Sequence, residues 1–341
     1  MQKMKKIKVG VFFGGISPEH DVSLISATGI LSQIDRTRFS VKEFWINKKG
    51  QIWSGNSVLN KVMIGKDGLK LADLSKLNKQ IDIAFPVLHG QGGEDGTIQG
   101  MFEMLDIPYV GCGIASSAIC LDKALFNDLM EAHGICQAKY SVVDFTYQSQ
   151  IECENSIQDI QKTFSFPVFV KPARAGSSIG ISKVKEKKDL QKAINLAIAF
   201  DSKIVIEESI ENCKEVEVAV MGSSDKTIRA SVPGVVIPAA EFYDYDDKYK
   251  NNQTKFEIPA NLSKPLLRKL SDLAIRVYKI SNCRGLSRVD LFIDKKENIY
   301  INEINTLPGF TPISMYPTLW KASGVSYKTL ITKLIHLGLK R

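Results

Sequence analysis

The order in which apolar runs and helical patterns alternate constrains this chain most. Residues 6–13 are an apolar run containing Val9-Gly-Val-Phe-Phe13. It breaks at Gly14-Gly15 and passes through Ser17-Pro18-Glu19 into a helical pattern over 21–31. Residues 39–46 and 81–88 are further strand candidates, each near a helical pattern. Strands alternating with helices predict an α/β fold with an open parallel sheet. Functional residues in such sheets gather at the C-terminal ends of the strands, where Gly14-Gly15 and His89-Gly90 fall. A second unit follows, with a helix over 117–130, strands over 166–171, 181–184 and 204–207, and a helix over 188–199. From residue 215 onward strands dominate, at 215–221, 232–237, 286–293 and 299–305, with helical spacing over 264–280 and 327–339. The expected division is into three lobes, 1–112, 113–207 and 208–341, without an internal repeat or a low-complexity linker.

Composition removes several classes. A chain of 341 residues with 44% hydrophobic and 24% charged residues is long enough for real cores and is not a disordered sequence. No apolar run approaches the roughly 20 residues that span a bilayer. Lys and Arg number 45 against 37 Asp and Glu, a net charge of +8. The lysines are interleaved with acids, as over 183–189, so a solvated surface is expected and a nucleic-acid partner is not. The six cysteines, Cys112, Cys120, Cys136, Cys153, Cys213 and Cys283, contain no Cys-x-x-Cys pair. A reducing cytoplasm is the expected compartment. The basic start runs directly into the first strand and lacks the longer apolar region of a signal peptide.

The segment most specific for chemistry is Leu286-Ser-Arg288-Val-Asp290-Leu-Phe-Ile-Asp294, a polar turn, then Ile299-Tyr-Ile-Asn-Glu303-Ile-Asn305. Two alternating strands joined this closely predict a hairpin. With a turn over 295–298, Asp290 faces Glu303 and Arg288 faces Asn305. Carboxylates facing each other on a sheet repel unless a cation lies between them. Oxygen donors of this kind suit Mg²⁺. The alternative is a solvated sheet face with scattered acids.

Other segments point to an anion. Phe166-Pro-Val-Phe-Val-Lys171 leads into Pro-Ala-Arg-Ala-Gly176-Ser177-Ser178-Ile-Gly180, a strand ending in lysine followed by a small-residue loop. Glycines let backbone N–H groups approach a phosphate, while Ser177 and Ser178 donate hydroxyls and Lys171 supplies charge. A flexible surface hairpin is the alternative reading. Lys123 is a candidate second phosphate cation. His89-Gly-Gln-Gly-Gly-Glu-Asp-Gly96 follows a buried strand and reads as a tight turn or a backbone that meets a ligand, with His89 either a substrate contact or a bystander. Glu19, after the first strand, either holds a substrate ammonium or is a helix-entry carboxylate. Residues 241–254 are polar and aromatic-rich, as lids are. Gly309, after the hairpin and beside Arg288, offers a backbone N–H to an oxyanion.

Taken in order, these segments resemble the D-alanine–D-alanine ligase family of the ATP-grasp superfamily. The resemblance runs over essentially the whole chain: Gly14-Gly15 to Glu19, His89 to Gly96, Lys171 to Ser178, Lys248-Tyr249, Arg288-Val-Asp290, Asn302-Glu303-Ile-Asn305 and Pro308-Gly309. It implies an ATP-grasp fold preceded by an N-terminal open parallel α/β domain. The implied activity is ATP-dependent joining of two D-alanines for peptidoglycan. By the resemblance, Lys123, Lys171, Ser178, Glu207, Glu208 and Glu215 hold ATP. Asp290, Glu303 and Asn305 bind two Mg²⁺ ions, with Mn²⁺ able to substitute. Glu19 binds the first ammonium, near Val22 and His89, and is networked with Ser177 and Tyr249 under a lid that includes Lys248. Arg288 and the Gly309 N–H stabilise the tetrahedral oxyanion, and Ser314 takes the second carboxylate. A homodimer is implied in the same way.

Relatives that prefer D-lactate carry histidine where Tyr249 falls, and relatives that use D-serine carry arginine where Met315 sits. Both positions here follow the D-alanine pattern. Ala175 stands where many members have glutamate, and Val110-Gly-Cys112 with Ser116-Ser-Ala-Ile-Cys120 resembles the resistance-type branch. The second substrate is thereby left partly open. Two other readings stand beside this one: a carboxylate–amine ligase for another amino acid, and a non-catalytic nucleotide-binding protein on the same scaffold.

Overall fold

The computed structural model describes residues 5–176, 178–237, 254–311 and 313–341. Ser177, Lys248, Tyr249 and all of the expected lid except Thr254 lie outside the described residues.

The first layer comprises β1 (Ile7–Gly14), α1 (His20–Gln33), β2 (Phe39–Ile46), β3 (Ile52–Ser54), α2 (Val58–Met63), β4 (Lys70–Leu71), α3 (Leu77–Gln80), β5 (Ile83–Val87) and α4 (Thr97–Met104). The strand order is β4-β3-β2-β1-β5. β1 is parallel to β2 and β5, as expected, and both of its faces are buried. Val9, Val11 and Phe13 pack under α1, while Phe12 stacks on Phe44 on the other face, at a ring distance of 4.5 Å. Burial on both faces explains the unbroken apolar run. The edge departs from the expected all-parallel sheet, because β3 and β4 pair antiparallel. The 47–51 connection is too short for a crossover, and Asn47 closes it by accepting from the N–H groups of Lys49 and Gln51.

The second unit contains α5 (Ile114–Leu121), α6 (Lys123–Ala132), β6 (Tyr140–Asp144), α7 (Gln150–Thr163), β7 (Val168–Pro172), β8 (Ser182–Val184), α8 (Leu190–Ile198) and β9 (Lys203–Glu208). Its antiparallel sheet has the order β6-β9-β7-β8. The single helix expected over 117–130 is two helices. Asp122 is extended (φ −81°, ψ 101°), and its Oδ1 caps α6 by accepting from the N–H groups of Ala124 and Leu125 at 3.1 and 3.2 Å. The break puts Lys123 at the first position of α6.

The third unit contains β10 (Lys214–Gly222), β11 (Arg229–Ala230), β12 (Gly234–Ile237), β13 (Lys255–Glu257), α9 (Lys264–Ile280), β14 (Gly285–Ile293), β15 (Ile299–Asn305), α10 (Met315–Ala322) and α11 (Tyr327–Gly338). Its antiparallel sheet runs β13-β12-β10-β14-β15, with β11 paired to β10. α11 then returns to the first layer, where Leu330, Ile331, Leu334 and Ile335 share a core with Val9 and Val11. The first sheet and the hairpin sheet are thereby held against each other.

Candidate active site

Three sheets meet at a cavity of about 880 Å³. Its wall brings together Glu19, Val22, His89, Lys123, Arg288, Glu303, Asn305, Gly309, Ser314 and Met315. They reach it from the start of α1, the turn after β5, the start of α6, the β14–β15 hairpin and the loop leading into α10. Glu19 precedes α1, and its N–H donates to Ser17 Oγ at 3.0 Å. Two glycines approach its carboxylate closely: a Cβ on Gly90 would sit 2.9 Å from Glu19 Oε2, and one on Gly176 would sit 3.2 Å away. The two glycine-rich segments therefore close on the same carboxylate.

The hairpin pairing places Arg288 opposite Asn305 and Asp290 opposite Glu303. On the other side of β14, Asp290 faces Glu217 of β10. Facing residues project to one side of a sheet, so Glu217, Asp290 and Glu303 form a row of carboxylates across three strands. Arg288 lies within that row. Its Nε donates to Asp290 Oδ1 at 2.7 Å, its Nη2 donates to Asp290 Oδ2 at 2.6 Å, and Nε is 3.0 Å from Glu217 Oε2. Burial works against the guanidinium charge, but Asp290 and Glu217 outweigh it and hold its pKa well above the ordinary value. Glu217, 1% exposed, was not anticipated from sequence, although it is an acid set between the apolar Val216 and Val218 of β10. Glu215 is two residues before it and shares its face.

One lysine flanks this row, and a second is paired on the neighbouring sheet. Lys123 Nζ donates to the Ala175 carbonyl at 2.8 Å and lies 3.9 Å from Glu303 Oε2, linking α6, the small-residue loop and the hairpin. Lys171 Nζ donates to Glu207 Oε2 at 2.5 Å, and Glu207 Oε1 accepts from Asn127. Glu208, next along β9, projects to the opposite face, where it accepts from the Ser165 N–H at 2.8 Å. Ser178 has a left-handed backbone, φ 59°. The root of this loop is pinned by Arg174, which pairs through Nε and Nη2 with both oxygens of Asp201. That anchor was also not anticipated.

His89 is buried, and its pKa is lowered by burial and by Arg288. Glu94, from the same glycine-rich turn, accepts from the Gly90 N–H at 2.9 Å. Burial and the charge of Glu19 push it up to about 8. At the far end, Ser314 Oγ accepts from the Thr311 N–H at 3.0 Å, just before α10.

A model of the D-ala D-ala ligase N-terminus matches residues 8–112, and one of the D-ala D-ala ligase C-terminus matches residues 129–336. The chain belongs to the D-alanine–D-alanine ligase family. A D-alanine–D-alanine ligase of Natranaerobius thermophilus is 44% identical over 99% of this chain and 96% of its own length. D-alanine–D-alanine ligase B of Clostridium tetani is also 44% identical, over 98% and 94%. Among solved structures, the VanG D-Ala:D-Ser ligase from Enterococcus faecalis has a TM-score of 0.88 at 34% identity, covering 98% of this chain and all of that one. The D-alanine–D-alanine ligase from Coxiella burnetii has a TM-score of 0.84 at 30% identity, covering 98% of this chain and 94% of that one. The fold is that of the ATP-grasp ligases.

Among the described residues, no cluster of three His, Cys, Asp or Glu side chains is drawn into a metal-ligating arrangement, and Asp290 is instead engaged by Arg288. The donor chemistry nevertheless fits a hard divalent cation: Asp290, Glu303 and Asn305 offer only oxygen donors of the kind such ions take, on facing strands. No helix among the described residues is long and apolar enough to cross a membrane.

Proposed function

We propose that the chain joins two D-alanine molecules into D-alanyl-D-alanine, converting ATP to ADP and phosphate, for peptidoglycan precursor synthesis. The observation that carries the reading is the convergence of Glu19 from the first sheet with Arg288, Glu303 and Gly309 from the third on one cavity.

A carboxylate is a poor electrophile, so it is activated first. Glu19 holds the first ammonium, with Val22 and His89 beside it. An oxygen of that substrate's carboxylate then attacks the γ-phosphorus, the bond to ADP breaks, and D-alanyl phosphate forms. Lys123 and Lys171, with the loop around Ser177 and Ser178, neutralise and orient the phosphates. Glu207 and Glu215 accept from the nucleotide, and Glu208 contributes through its backbone, its side chain being turned away. Asp290, Glu303 and Asn305 would hold Mg²⁺, two ions by the family pattern, with Mn²⁺ as a substitute. When bound there, the metal supplies charge to the transferring phosphoryl oxygens.

Ser314, at the entrance of α10, takes the carboxylate of the second D-alanine. Its amine, once deprotonated, attacks the acyl carbon. The carbonyl oxygen becomes an oxyanion held by Arg288 and the Gly309 N–H, then the carbon–oxygen bond breaks and phosphate leaves. Lys248 and Tyr249, with Ser177, complete a lid that keeps water from the acyl phosphate. The enzyme works as a cytoplasmic homodimer.

A second reading makes D-serine the second substrate, because a D-Ala:D-Ser ligase is among the structural relatives. Met315, where D-serine users carry arginine, favours D-alanine. The test is phosphate release with ATP, Mg²⁺ and D-alanine, with D-serine or D-lactate in competition and products identified by mass. D-Ala–D-Ala alone, with one ADP per bond, is expected. Mixed products overturn the specificity, and no turnover beside an active control ligase overturns the reaction.

A further inference from the structure

We propose that Ser26 is a positioning residue, which acts through the His89 imidazole to fix the turn carrying Gly309 against the first-substrate side of the cavity. The inference deepens the ligase reading and rests on it for its kinetic consequence.

Ser26 is fully buried on α1, one turn beyond Val22. Its Oγ lies 3.1 Å from His89 Nε2 and accepts from the Phe310 N–H at 3.4 Å. The other ring nitrogen, Nδ1, lies 3.2 Å from the Leu307 carbonyl oxygen. A carbonyl oxygen can only accept, so Nδ1 carries the hydrogen. Burial, helped by the charge of Arg288, outweighs the pull of the Glu19 carboxylate toward a second proton, which leaves Nε2 with a lone pair. The Ser26 hydroxyl therefore donates to Nε2 while its oxygen receives the Phe310 N–H. Every donor in the chain then has one acceptor. The opposite tautomer would set a lone pair of Nδ1 against the Leu307 oxygen and leave the Ser26 hydrogen without a target.

Leu307 and Phe310 bracket Pro308-Gly309, so both ends of that turn are tied to one imidazole–hydroxyl pair supplied by the first sheet. Other contacts also hold the turn: Tyr327 Oη donates to the Phe310 carbonyl, a Cβ on Gly309 would lie 2.9 Å from Ser314 Oγ, and the Phe310 ring meets Phe85 of β5 edge-on at a centroid distance of 6.1 Å. Ring packing leaves the backbone free to turn, whereas Ser26 and His89 supply directional hydrogen bonds from the first layer that set where the Gly309 N–H stands relative to a substrate held by Glu19. An oxyanion donor works only at hydrogen-bond distance from where the charge develops.

Two measurements test this. In the full-length, ligand-free protein labelled with ¹⁵N-histidine, the His89 signal, assigned by its loss in His89→Gln, is expected as a neutral Nδ1–H tautomer at pH 7. A neutral Nε2–H tautomer, tautomer averaging or an imidazolium overturns the proposal, whether or not the protein ligates D-alanine. Ser26→Ala is expected to lower kcat for dipeptide by about tenfold or more, as misplacement of a catalytic group does. KM for ATP should stay within about twofold, and Ser26→Thr should recover most of the rate. A Ser26→Ala enzyme with unchanged kcat, or one losing ATP affinity in step with rate, also overturns it. A wild-type protein that shows the expected tautomer but forms no dipeptide would instead sink the ligase reading.

Discussion

Glu94 illustrates how much of this site is set by environment. Its carboxyl accepts one backbone hydrogen bond from Gly90, yet burial and the nearby Glu19 raise it from 4.5 to about 8. Between those values the folded protein retains a proton that the unfolded chain has lost, so stability falls as pH rises through that window. Glu94→Gln keeps the acceptor and removes the titration. The melting temperature of the metal- and nucleotide-free variant should therefore fall less than that of wild type between pH 5.5 and 8.5, and equal falls would refute the assignment. Glu19, His89 and Arg288 were singled out by residue type beside glycines or acids, with alternative readings open for the first two, and all three line one cavity. Glu94 and Glu217 were not. Nothing in a single sequence distinguishes a carboxylate that folds into a wall from one left in water.

Among elements, the hairpin shows a correct expectation reached through compensating differences. A turn over 295–298 would pair the strands regularly and set Asp290 against Glu303. The observed ladder pairs Leu291 with Ile301, then shifts by one residue, with Asn302 as the extra residue, before Asp290 meets Glu303. The turn is one step tighter and the bulge restores the register, adding local twist beside the carboxylates. The unanticipated β6 and α7 had weaker signals. β6 has one fully buried position, and α7 buries only Cys153, Ile157 and Ile160, although Ser149-Gln-Ile-Glu152 is a capping box in plain view. The break at Asp122 lay hidden because apolar spacing runs through it. Asp122 both caps α6 and accepts from Lys203 Nζ at 2.7 Å. Asp122→Ala should cost about 1 kcal/mol from the cap alone and raise KM for ATP by displacing Lys123. Calorimetry with ATP kinetics checks both, and an unchanged KM would separate the cap from the phosphate site.

At the scale of the molecule, the cavity exists because distant parts of the chain are locked together. A Cβ on Gly285 would lie 2.9 Å from the Gly111 nitrogen, so the first layer's exit and the start of β14 cross backbone to backbone. Arg341 stacks 3.7 Å over the Tyr109 ring and donates to the Gly111 carbonyl at 2.9 Å. α11 lies so close to the first layer that a Cβ on Gly338 would sit 2.8 Å from both Ile83 Cδ1 of β5 and the Tyr109 carbonyl oxygen. Gly338→Ala should therefore destabilise by about 1–3 kcal/mol, as overpacking does, against the gain that alanine brings to an unhindered helix. An increase in melting temperature would contradict that packing. Sequence periodicity marked α11 as a helix, but its return to the first sheet is a tertiary fact that no local pattern encodes.

The most direct test of the proposed chemistry follows one atom. With D-alanine carrying ¹⁸O in both carboxylate positions, ATP and Mg²⁺, activation through an acyl phosphate leaves one ¹⁸O in each phosphate released, with one ADP and one D-Ala–D-Ala formed beside it. Phosphate without ¹⁸O, released at the same rate as dipeptide, would mean that the carboxylate never attacks the γ-phosphorus, and would contradict the mechanism assigned to this cavity.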